Sequence, residues 1–270
     1  MPLAACLQLN CNSSVSRNLD QLERLARRAA GYGATFLATP EASTFLGPHD
    51  RKVALAEPVD GPTHRWLGAL ARELGVELLV GSVAERCDDE RAYNTSLLFG
   101  PDGALKARYR KLHLFDVDLA QSGGVSFQES ARTAPGDEVV VADTALGRMG
   151  LSICFDMRFP ELYRAHVAQG ATALAVPSAF TLMTGKDHWH ALLRARAIET
   201  QCWVLAPAQW GAHDDAGLRR SYGHSVIIDP WGVVVAECGD EVGLCLAEIT
   251  PERVHAVRSQ IPMERNRRLG

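Results

Sequence analysis

The chain has 270 residues and a formal net charge of −4 at pH 7, and 47% of its residues are hydrophobic. This predicts a globular protein with one large domain or two small ones and a substantial core. Acidic and basic residues are interspersed, so the sequence lacks the basic surface of a nucleic-acid-binding protein and a cationic membrane-binding patch. No apolar run approaches the length of a membrane span and no signal-peptide pattern is visible, so we expect a cytoplasmic protein.

The chain contains seven cysteines and no C-x-x-C pair. This pattern supports neither a zinc ribbon nor a dithiol redox site. In a reducing compartment most free cysteines are small, buried, apolar residues, and we interpret six of the seven in this way. The seventh, Cys154, is a candidate nucleophile.

The first half of the chain alternates predicted strands and helices. Apolar residues at helical spacing between positions 19 and 29 predict a helix, which Gly31 and Gly33 end. Gly100-Pro-Asp-Gly103 is a strong turn signal and predicts a hairpin. The other predicted elements are strands at 3–9, 34–38, 77–82, 92–99 and 104–109 and a helix at 63–74.

The second half repeats this plan. Asp229-Pro-Trp-Gly232 predicts a second hairpin, and Thr250-Pro251 predicts a capped helix start, because proline favours the first helical position. The remaining predicted elements are strands at 148–154, 173–176, 203–206 and 242–249 and helices at 160–169 and 187–201.

Two stretches of the first half recur in the second. Gly33-Ala-Thr-Phe-Leu-Ala-Thr-Pro40 resembles Gly170-Ala-Thr-Ala-Leu-Ala-Val-Pro177, and positions 94–103 resemble positions 223–232. These matches predict two related β-α-β-plus-hairpin units. Alternating helices and apolar strands predict an α/β fold in which helices cover the sheets. Because no linker follows either half, we expect residues 1–270 to form one domain.

Three polar residues follow predicted strands. Glu41 follows the strand at 34–38, Lys111 follows the first hairpin, and Cys154 closes the strand at 148–154. Ligands in layered α/β folds usually bind beyond the C-terminal ends of strands, so we expect a site here. Each residue also has a structural interpretation. In this alternative, Cys154 is a buried apolar residue, Glu41 caps a turn, and Lys111 belongs to a solvent-exposed basic edge.

Together, Cys154, Glu41 and Lys111 suit hydrolysis of an amide or nitrile through a thioester. A thiol attacks as the thiolate, which is a minor form near pH 7 unless a base takes its proton. Glu41 is the candidate base. Lys111 and the backbone N–H of Phe155 are candidate donors to the oxyanion, and one such donor contributes about 3–4 kcal/mol.

Three local motifs resemble those of the nitrilase, or carbon–nitrogen hydrolase, superfamily. Thr39-Pro40-Glu41 resembles its glutamate motif, and Tyr109-Arg-Lys111-Leu-His-Leu-Phe resembles its lysine motif. Ile153-Cys154-Phe-Asp-Met-Arg-Phe-Pro-Glu161 resembles its cysteine motif. The order and spacing agree, and the resemblance covers nearly the whole chain.

The resemblance carries expectations for the fold and for a further site residue. It implies a four-layer α-β-β-α sandwich with an internal pseudo-two-fold repeat, and homodimers or higher homo-oligomers that pair helix faces. It also implies a second glutamate beside the lysine, and Glu129 in Phe127-Gln-Glu129-Ser occupies that place. The family reaction requires no metal and no cofactor.

Segments of the second half resemble the deaminated glutathione amidase branch more than the related ω-amidase branch, which acts on α-ketoglutaramate. They include Pro177-Ser-Ala-Phe180, His188-Trp189 and Ser221-Tyr-Gly-His-Ser225. The implied substrate is a small amide that carries carboxylates. A planar guanidinium fits a carboxylate, so Arg158 is our candidate anchor, although an ion pair with Glu161 is an equal alternative. Phe155, Phe180 and Thr181 are further candidates for the pocket wall.

Other hypotheses have less support. His188 and His190 suggest metal ligands, but residues two apart on a helix do not share a face. No G-x-S-x-G motif indicates a serine hydrolase. An inactive scaffold of the same fold, and an aliphatic amidase, carbamoylase or nitrilase, also remain as alternatives.

Overall fold

The computed structural model describes residues 1–118, 126–213 and 219–268. Within these ranges, none of the helices combines the length and hydropathy that a membrane crossing needs. The helices are α1 (Val15–Gly31), α2 (His49–Ala54), α3 (Pro62–Leu74), α4 (Pro160–Ala168), α5 (Leu182–Thr200), α6 (Pro251–Gln260) and α7 (Met263–Asn266).

The described strands are numbered in chain order. Those of the first half are β1 (Leu3–Gln8), β2 (Phe36–Ala38), β3 (Glu77–Arg86), β4 (Ala92–Phe99), β5 (Leu105–Arg110), β6 (Asp116–Val117), β7 (Phe127–Gln128) and β8 (Thr133–Ala134). Those of the second half are β9 (Val141–Thr144), β10 (Gly147–Leu151), β11 (Ala173–Ala175), β12 (Trp203–Ala206), β13 (Trp210–Ala212), β14 (Arg220–Tyr222), β15 (Val226–Ile228), β16 (Val234–Glu237) and β17 (Gly243–Glu248).

The two large sheets have the same strand pattern. The first runs β17-β1-β2-β3-β4-β5, with β8 added beside β4, and the second runs β9-β10-β11-β12-β15-β16. In each sheet the successive pairs are antiparallel, parallel, parallel, antiparallel and antiparallel. The predicted repeat is therefore confirmed.

Matched glycines of the two halves also share their backbone conformation. Gly33 and Gly170 have φ angles of 87° and 84°, and Gly103 and Gly232 have φ angles of 80° and 90°. L-residues rarely adopt these positive angles, so glycine ends the helix or makes the hairpin turn at the same point in each half.

Alternation along the strands separates two apolar layers. On β1, Ala5 and Leu7 face α1 and α3, whereas Ala4 and Cys6 face the second sheet. The core between the sheets continues to Trp189 and other apolar residues of α4 and α5. The order of layers is helices, sheet, sheet, helices, which confirms the predicted α-β-β-α sandwich.

Some predicted boundaries were wrong. Cys154 does not close a strand, because β10 ends at Leu151 and Cys154 begins a 3-10 turn. Helix α5 starts at Leu182, earlier than the predicted 187. Gly185 disfavours a helix in sequence terms, but in the fold a Cβ at this position would lie 2.3 Å from Cβ of Tyr222. The short helix α2 was not predicted, because six residues do not establish a periodicity.

Candidate active site

The ends of several strands bring the three predicted residues into one cavity. Glu41 follows β2, Lys111 follows β5 directly, and Cys154 lies just beyond β10. All three line a cavity of about 430 Å³. Residues far apart in sequence thus meet at the strand ends, as predicted.

Lys111 lies between two carboxylates. Its ammonium donates to Oε1 of Glu41 at 3.0 Å and to Oε2 of Glu129 at 2.8 Å. The side chain is almost completely buried, and so are both glutamates. A buried ammonium is stable only with such partners, so the two acids fix its position.

Asn94 is a site residue that the sequence analysis missed. Its side-chain amide donates to Oε1 of Glu41 at 2.8 Å and to Oε1 of Glu129 at 3.0 Å. It lies on β4, inside a stretch that we interpreted only as one strand of a hairpin. The available signal was an asparagine inside a predicted strand, because asparagine is depleted in strands and a buried amide needs hydrogen-bond partners.

Backbone N–H groups complete the environment of the carboxylates. Ala179 N–H donates to Oε2 of Glu41 at 2.9 Å, and Phe115 N–H donates to Oε2 of Glu129 at 2.8 Å. Gln209 donates to the backbone carbonyl of Glu41 at 2.9 Å. These bonds orient Glu41 from both halves of the chain.

Cys154 occupies a strained backbone position beside Glu41. Its φ angle is +49°, which is uncommon for a residue with a Cβ, and its N–H donates to the carbonyl of Pro177 at 2.9 Å. The thiol and the Glu41 carboxylate line the same cavity, and the carboxylate acts electrostatically on the thiol. Burial raises the pKa of the Cys154 thiol, and the negative charge of Glu41 raises it further, so the resting sulfur is protonated.

The other charges at the site are fixed. Burial acts to lower the pKa of Lys111, but Glu129 and Glu41 outweigh it, so this pKa lies well above the usual value. Burial acts to raise the pKa of Glu129, but Lys111 and Lys52 outweigh it, so this pKa lies below the usual value. At neutral pH, Lys111 is an ammonium and Glu129 is a carboxylate.

Aromatic side chains form much of the cavity wall. Phe155 and Phe180 line it, as predicted, together with Phe115 and Phe127. Thr181 also lines it, but its hydroxyl caps α5 by accepting from Thr184 N–H and lies 2.7 Å from the Thr184 hydroxyl. Hence Thr181 has a structural role as well as its predicted place in the wall.

Arg158 lies against this aromatic wall. Its guanidinium carbon is 5.8 Å from the ring centre of Phe155 and 5.3 Å from that of Phe180, and one Nη lies 3.3 Å from Nδ1 of His188. In the described part of the chain, Arg158 forms no ion pair with Glu161 or another acid. Arg158 is not among the residues that line the cavity, so its role as a substrate anchor stays a prediction.

The histidines considered as metal ligands have separate environments. His188 contacts Arg158, whereas Nε2 of His190 lies 2.8 Å from Oε1 of the Glu237 carboxylate. Among described residues, His190, His224 and Glu237 are close enough to share a metal ion, but none of them lines the cavity with Cys154. His188 is not part of that group.

Comparisons of the sequence with known proteins match nearly the whole chain to enzymes of one family. Residues 3–259 match the family model of carbon-nitrogen hydrolases. The deaminated glutathione amidase of Synechocystis sp. (strain PCC 6803) is 43% identical over 269 residues, which cover 98% of this chain and 97% of that protein. Human omega-amidase NIT2 is 38% identical over 266 residues, which cover 98% of this chain and 94% of that protein.

A solved structure shows the same similarity in three dimensions. The crystal structure of the C. elegans NitFhit protein matches this fold with a TM-score of 0.92 and 39% sequence identity. The match covers 99% of this chain, which spans 65% of that longer chain.

Proposed function

Because the chain belongs to the carbon–nitrogen hydrolase family, we propose that it is a thiol amidase with Cys154 as nucleophile. The family makes it a hydrolase of carbon–nitrogen bonds other than peptide bonds. The observation that carries the proposal is Lys111 bound between Glu41 and Glu129 in the cavity that contains Cys154.

The first half of the reaction forms a thioester. Glu41 accepts the proton of the Cys154 thiol as the sulfur attacks the amide carbonyl, since the resting thiol is protonated. The tetrahedral intermediate then collapses. Glu41 returns the proton to the nitrogen, the carbon–nitrogen bond breaks, and the amine leaves.

Lys111 and the backbone N–H of Phe155 stabilise the oxyanion of this intermediate. Lys111 stays an ammonium at neutral pH because its pKa is raised. Phe155 is the second residue of the 3-10 turn Cys154–Arg158, and N–H groups at the start of such a turn lack partners within it. Donors fixed in a buried site stabilise developing charge more than water does.

The second half hydrolyses the thioester. Glu41, or Glu41 together with Glu129, takes a proton from water as its oxygen attacks the acyl carbon. The sulfur leaves and regains its proton, and the carboxylic acid product departs. Every step uses side chains and backbone of this chain, so activity in excess EDTA should equal activity without it.

We propose deaminated glutathione as the substrate, hydrolysed to 2-oxoglutarate and cysteinylglycine. The 43% identity to an enzyme of that name supports this choice, and Arg158 beside the aromatic wall supplies a cation for the α-keto acid end. The second candidate is ω-amidase activity on α-ketoglutaramate, supported by 38% identity to a protein of that name.

The decisive experiment compares turnover of deaminated glutathione and α-ketoglutaramate by the wild type and by Cys154→Ala. We expect a higher kcat/KM for deaminated glutathione and no turnover of either compound by the variant. A Cys154→Ala protein that hydrolyses them as the wild type does would falsify the mechanism. The reverse order of kcat/KM would make the protein an ω-amidase.

We also propose that residues 1–270 form one domain that works in the cytoplasm. The core between the sheets takes side chains from both halves, which supports a single unit. All seven cysteines are free, which suits a reducing compartment.

A homodimer is proposed on the basis of an exposed apolar patch. The patch consists of three apolar side chains that are 46%, 45% and 49% exposed: Ile198, Trp231 and Val233. Ile198 of α5 lies next to Gly232, the residue between Trp231 and Val233 in the sequence. Such patches mark association surfaces. Sedimentation should show a dimer for the wild type and a monomer for Ile198→Glu. The control variant Leu105→Glu, which changes an exposed apolar residue on β5, should stay dimeric. A monomeric wild type contradicts the proposal.

A further inference from the structure

The cavity that contains Cys154 has more cations than the proposed chemistry uses. Glu41 and Glu129 are its acidic side chains among the described residues, and Lys111 is paired with both. The remaining basic side chains of the wall are His49, Lys52, Arg219, Arg220 and His213. One part of the cavity is therefore basic.

Lys52 is the key residue of this basic region. It lies on α2, and its ammonium donates to the neutral hydroxyl of Thr133 at 3.3 Å. No carboxylate of the described residues lies within ion-pair distance of it. Burial lowers the pKa of Lys52, although Glu129 and Glu41 act in the opposite direction. A partly buried ammonium without an acid is costly unless an anion binds beside it.

His49, on the same helix, adds an independent observation. Its Nδ1 is buried and has no hydrogen-bond partner in the described part of the chain. Burial lowers the pKa of His49, and the charges of Arg219 and Lys52, which line the same cavity, lower it further. Buried polar atoms without partners are rare in native proteins. Here the unpaired nitrogen marks a place that a ligand group completes.

Arg219 brings a guanidinium to the same region from the other half of the chain. Its Nη1 donates to the carbonyl of Gly47 at 3.1 Å, and Gly47 also lines the cavity. The contact holds Arg219 next to the segment that carries His49 and Lys52. Elements from both halves therefore converge on one basic region.

We propose that Lys52, His49 and Arg219 form a subsite for a carboxylate on the amine side of the scissile amide. This inference rests on the proposed function and extends it. Arg158 lies on the turn that begins with Cys154, against Phe155 and Phe180, and there it serves the acyl end of the substrate. The basic region is formed by other segments, α2 and the residue before β14, and we assign it to the other end of the substrate.

The chemistry of the two candidate substrates makes this subsite a source of specificity. Deaminated glutathione ends in a glycine carboxylate on its amine side, whereas α-ketoglutaramate has only an NH₂ group there. Glu41, Glu129 and Lys111 carry one net negative charge together, which repels an anionic substrate. Lys52 offsets this repulsion for a substrate long enough to reach it.

The test compares deaminated glutathione with its C-terminal carboxamide analogue, in the wild type and in Lys52→Met. The wild type should prefer the acid over the carboxamide by about 10- to 100-fold in kcat/KM, as expected for a hydrogen bond to a charged group. In Lys52→Met this preference should nearly vanish, and in Lys52→Arg most of it should return. Lys186→Met, an exposed lysine on α5, is the matched control and should keep the wild-type preference.

Two results would overturn the subsite. One is an unchanged preference in Lys52→Met, and the other is an equal loss of kcat/KM for acid and carboxamide, which indicates a structural role. The proposed substrate would fail separately if the wild type hydrolysed α-ketoglutaramate but neither deaminated glutathione nor its carboxamide analogue.

In that case the subsite is tested by inhibition of α-ketoglutaramate hydrolysis. Cysteinylglycine should inhibit more strongly than cysteinylglycinamide in the wild type but not in Lys52→Met. Equal inhibition by the two compounds in the wild type would overturn the subsite.

Discussion

At the scale of single residues, the orientation of Glu41 is the central feature. Its carboxylate accepts from Lys111, Asn94 and the N–H of Ala179, and these partners come from both halves of the chain. The proposed base is therefore held in place before a substrate arrives. Such preorganisation lowers the entropy that the reaction must lose at its transition state.

The protonated state of Cys154 gives a prediction about alkylation. Burial raises the pKa of this thiol, so the thiolate fraction increases only at pH values above those of an ordinary cysteine, near 8.5. The rate of Cys154 modification by iodoacetamide, followed by peptide mass spectrometry, should still increase above about pH 9. The partly exposed Cys87 is an internal control. A plateau below neutral pH would indicate a resting thiolate and contradict the proposed role of Glu41.

Asn94 is predicted to position the two carboxylates. In Asn94→Ala both acids lose a donor that stabilises their charged forms, so kcat should fall by about 10- to 100-fold. The acid limb of the kcat/KM profile should move to higher pH, because removing a donor favours the protonated form of Glu129, whose pKa Lys111 and Lys52 hold below its usual value. Circular dichroism should show a folded variant. An unchanged pH profile would reduce Asn94 to a structural residue.

At the scale of elements, Gly81 on β3 is in close contact with the segments that follow β2 and β11. A Cβ at this position would lie 2.0 Å from the carbonyl oxygen of Thr39 and 2.4 Å from Cβ of Pro177. The N–H of Gly81 also donates to the Thr39 hydroxyl at 3.0 Å. The absence of a side chain allows the segment before Glu41, and Pro177 of the second half, to pack directly against β3.

Gly81→Ala should therefore displace Glu41. The clashes involve backbone and a rigid proline ring, so we expect a loss of about 1–3 kcal/mol in the free energy of unfolding. Activity should fall more than stability suggests, since the displaced segment carries the proposed base. Gly239→Ala is the control, because a Cβ there meets nothing within 4 Å. Equal activity of the two variants would show that the close packing at Gly81 does not position the site.

At the scale of the whole molecule, Asp156 joins the two halves. Its fully buried carboxylate accepts from the Tyr109 hydroxyl at 2.7 Å, from Ile153 N–H at 2.8 Å and from His113 N–H at 3.0 Å. Tyr109 lies on β5, two residues before Lys111, and Ile153 directly precedes Cys154. Thus one acid couples the positions of Lys111 and Cys154.

Tyr109→Phe should weaken this coupling. Burial raises the pKa of the Tyr109 hydroxyl, so it is a neutral donor whose loss costs about 1–3 kcal/mol in the free energy of unfolding. Tyr163→Phe removes a buried hydroxyl that contacts Ser152 within the second half only. Thermal unfolding should show similar losses for both variants, and kcat should fall more in Tyr109→Phe. A larger fall in kcat for Tyr163→Phe than for Tyr109→Phe would contradict the proposed coupling of Lys111 and Cys154 through Asp156.

Local sequence was enough to predict most of the fold. Periodicity and turn residues gave the strands and hairpins, and the repeated stretches around Gly33 and Gly170 gave the two related halves, because turn chemistry depends on a few adjacent residues. The motifs around Glu41, Lys111 and Cys154 also indicated which residues meet, through their resemblance to a family.

Only the tertiary structure revealed the features that depend on contacts between distant segments. The role of Asn94 comes from carboxylates contributed by other segments, and the left-handed backbone of Cys154 comes with its bond to Pro177. The basic region of Lys52 is formed by a helix too short to produce a periodic pattern. A linear sequence specifies which groups are present, but their distances, burial and charge are set by packing between chain segments far apart in sequence.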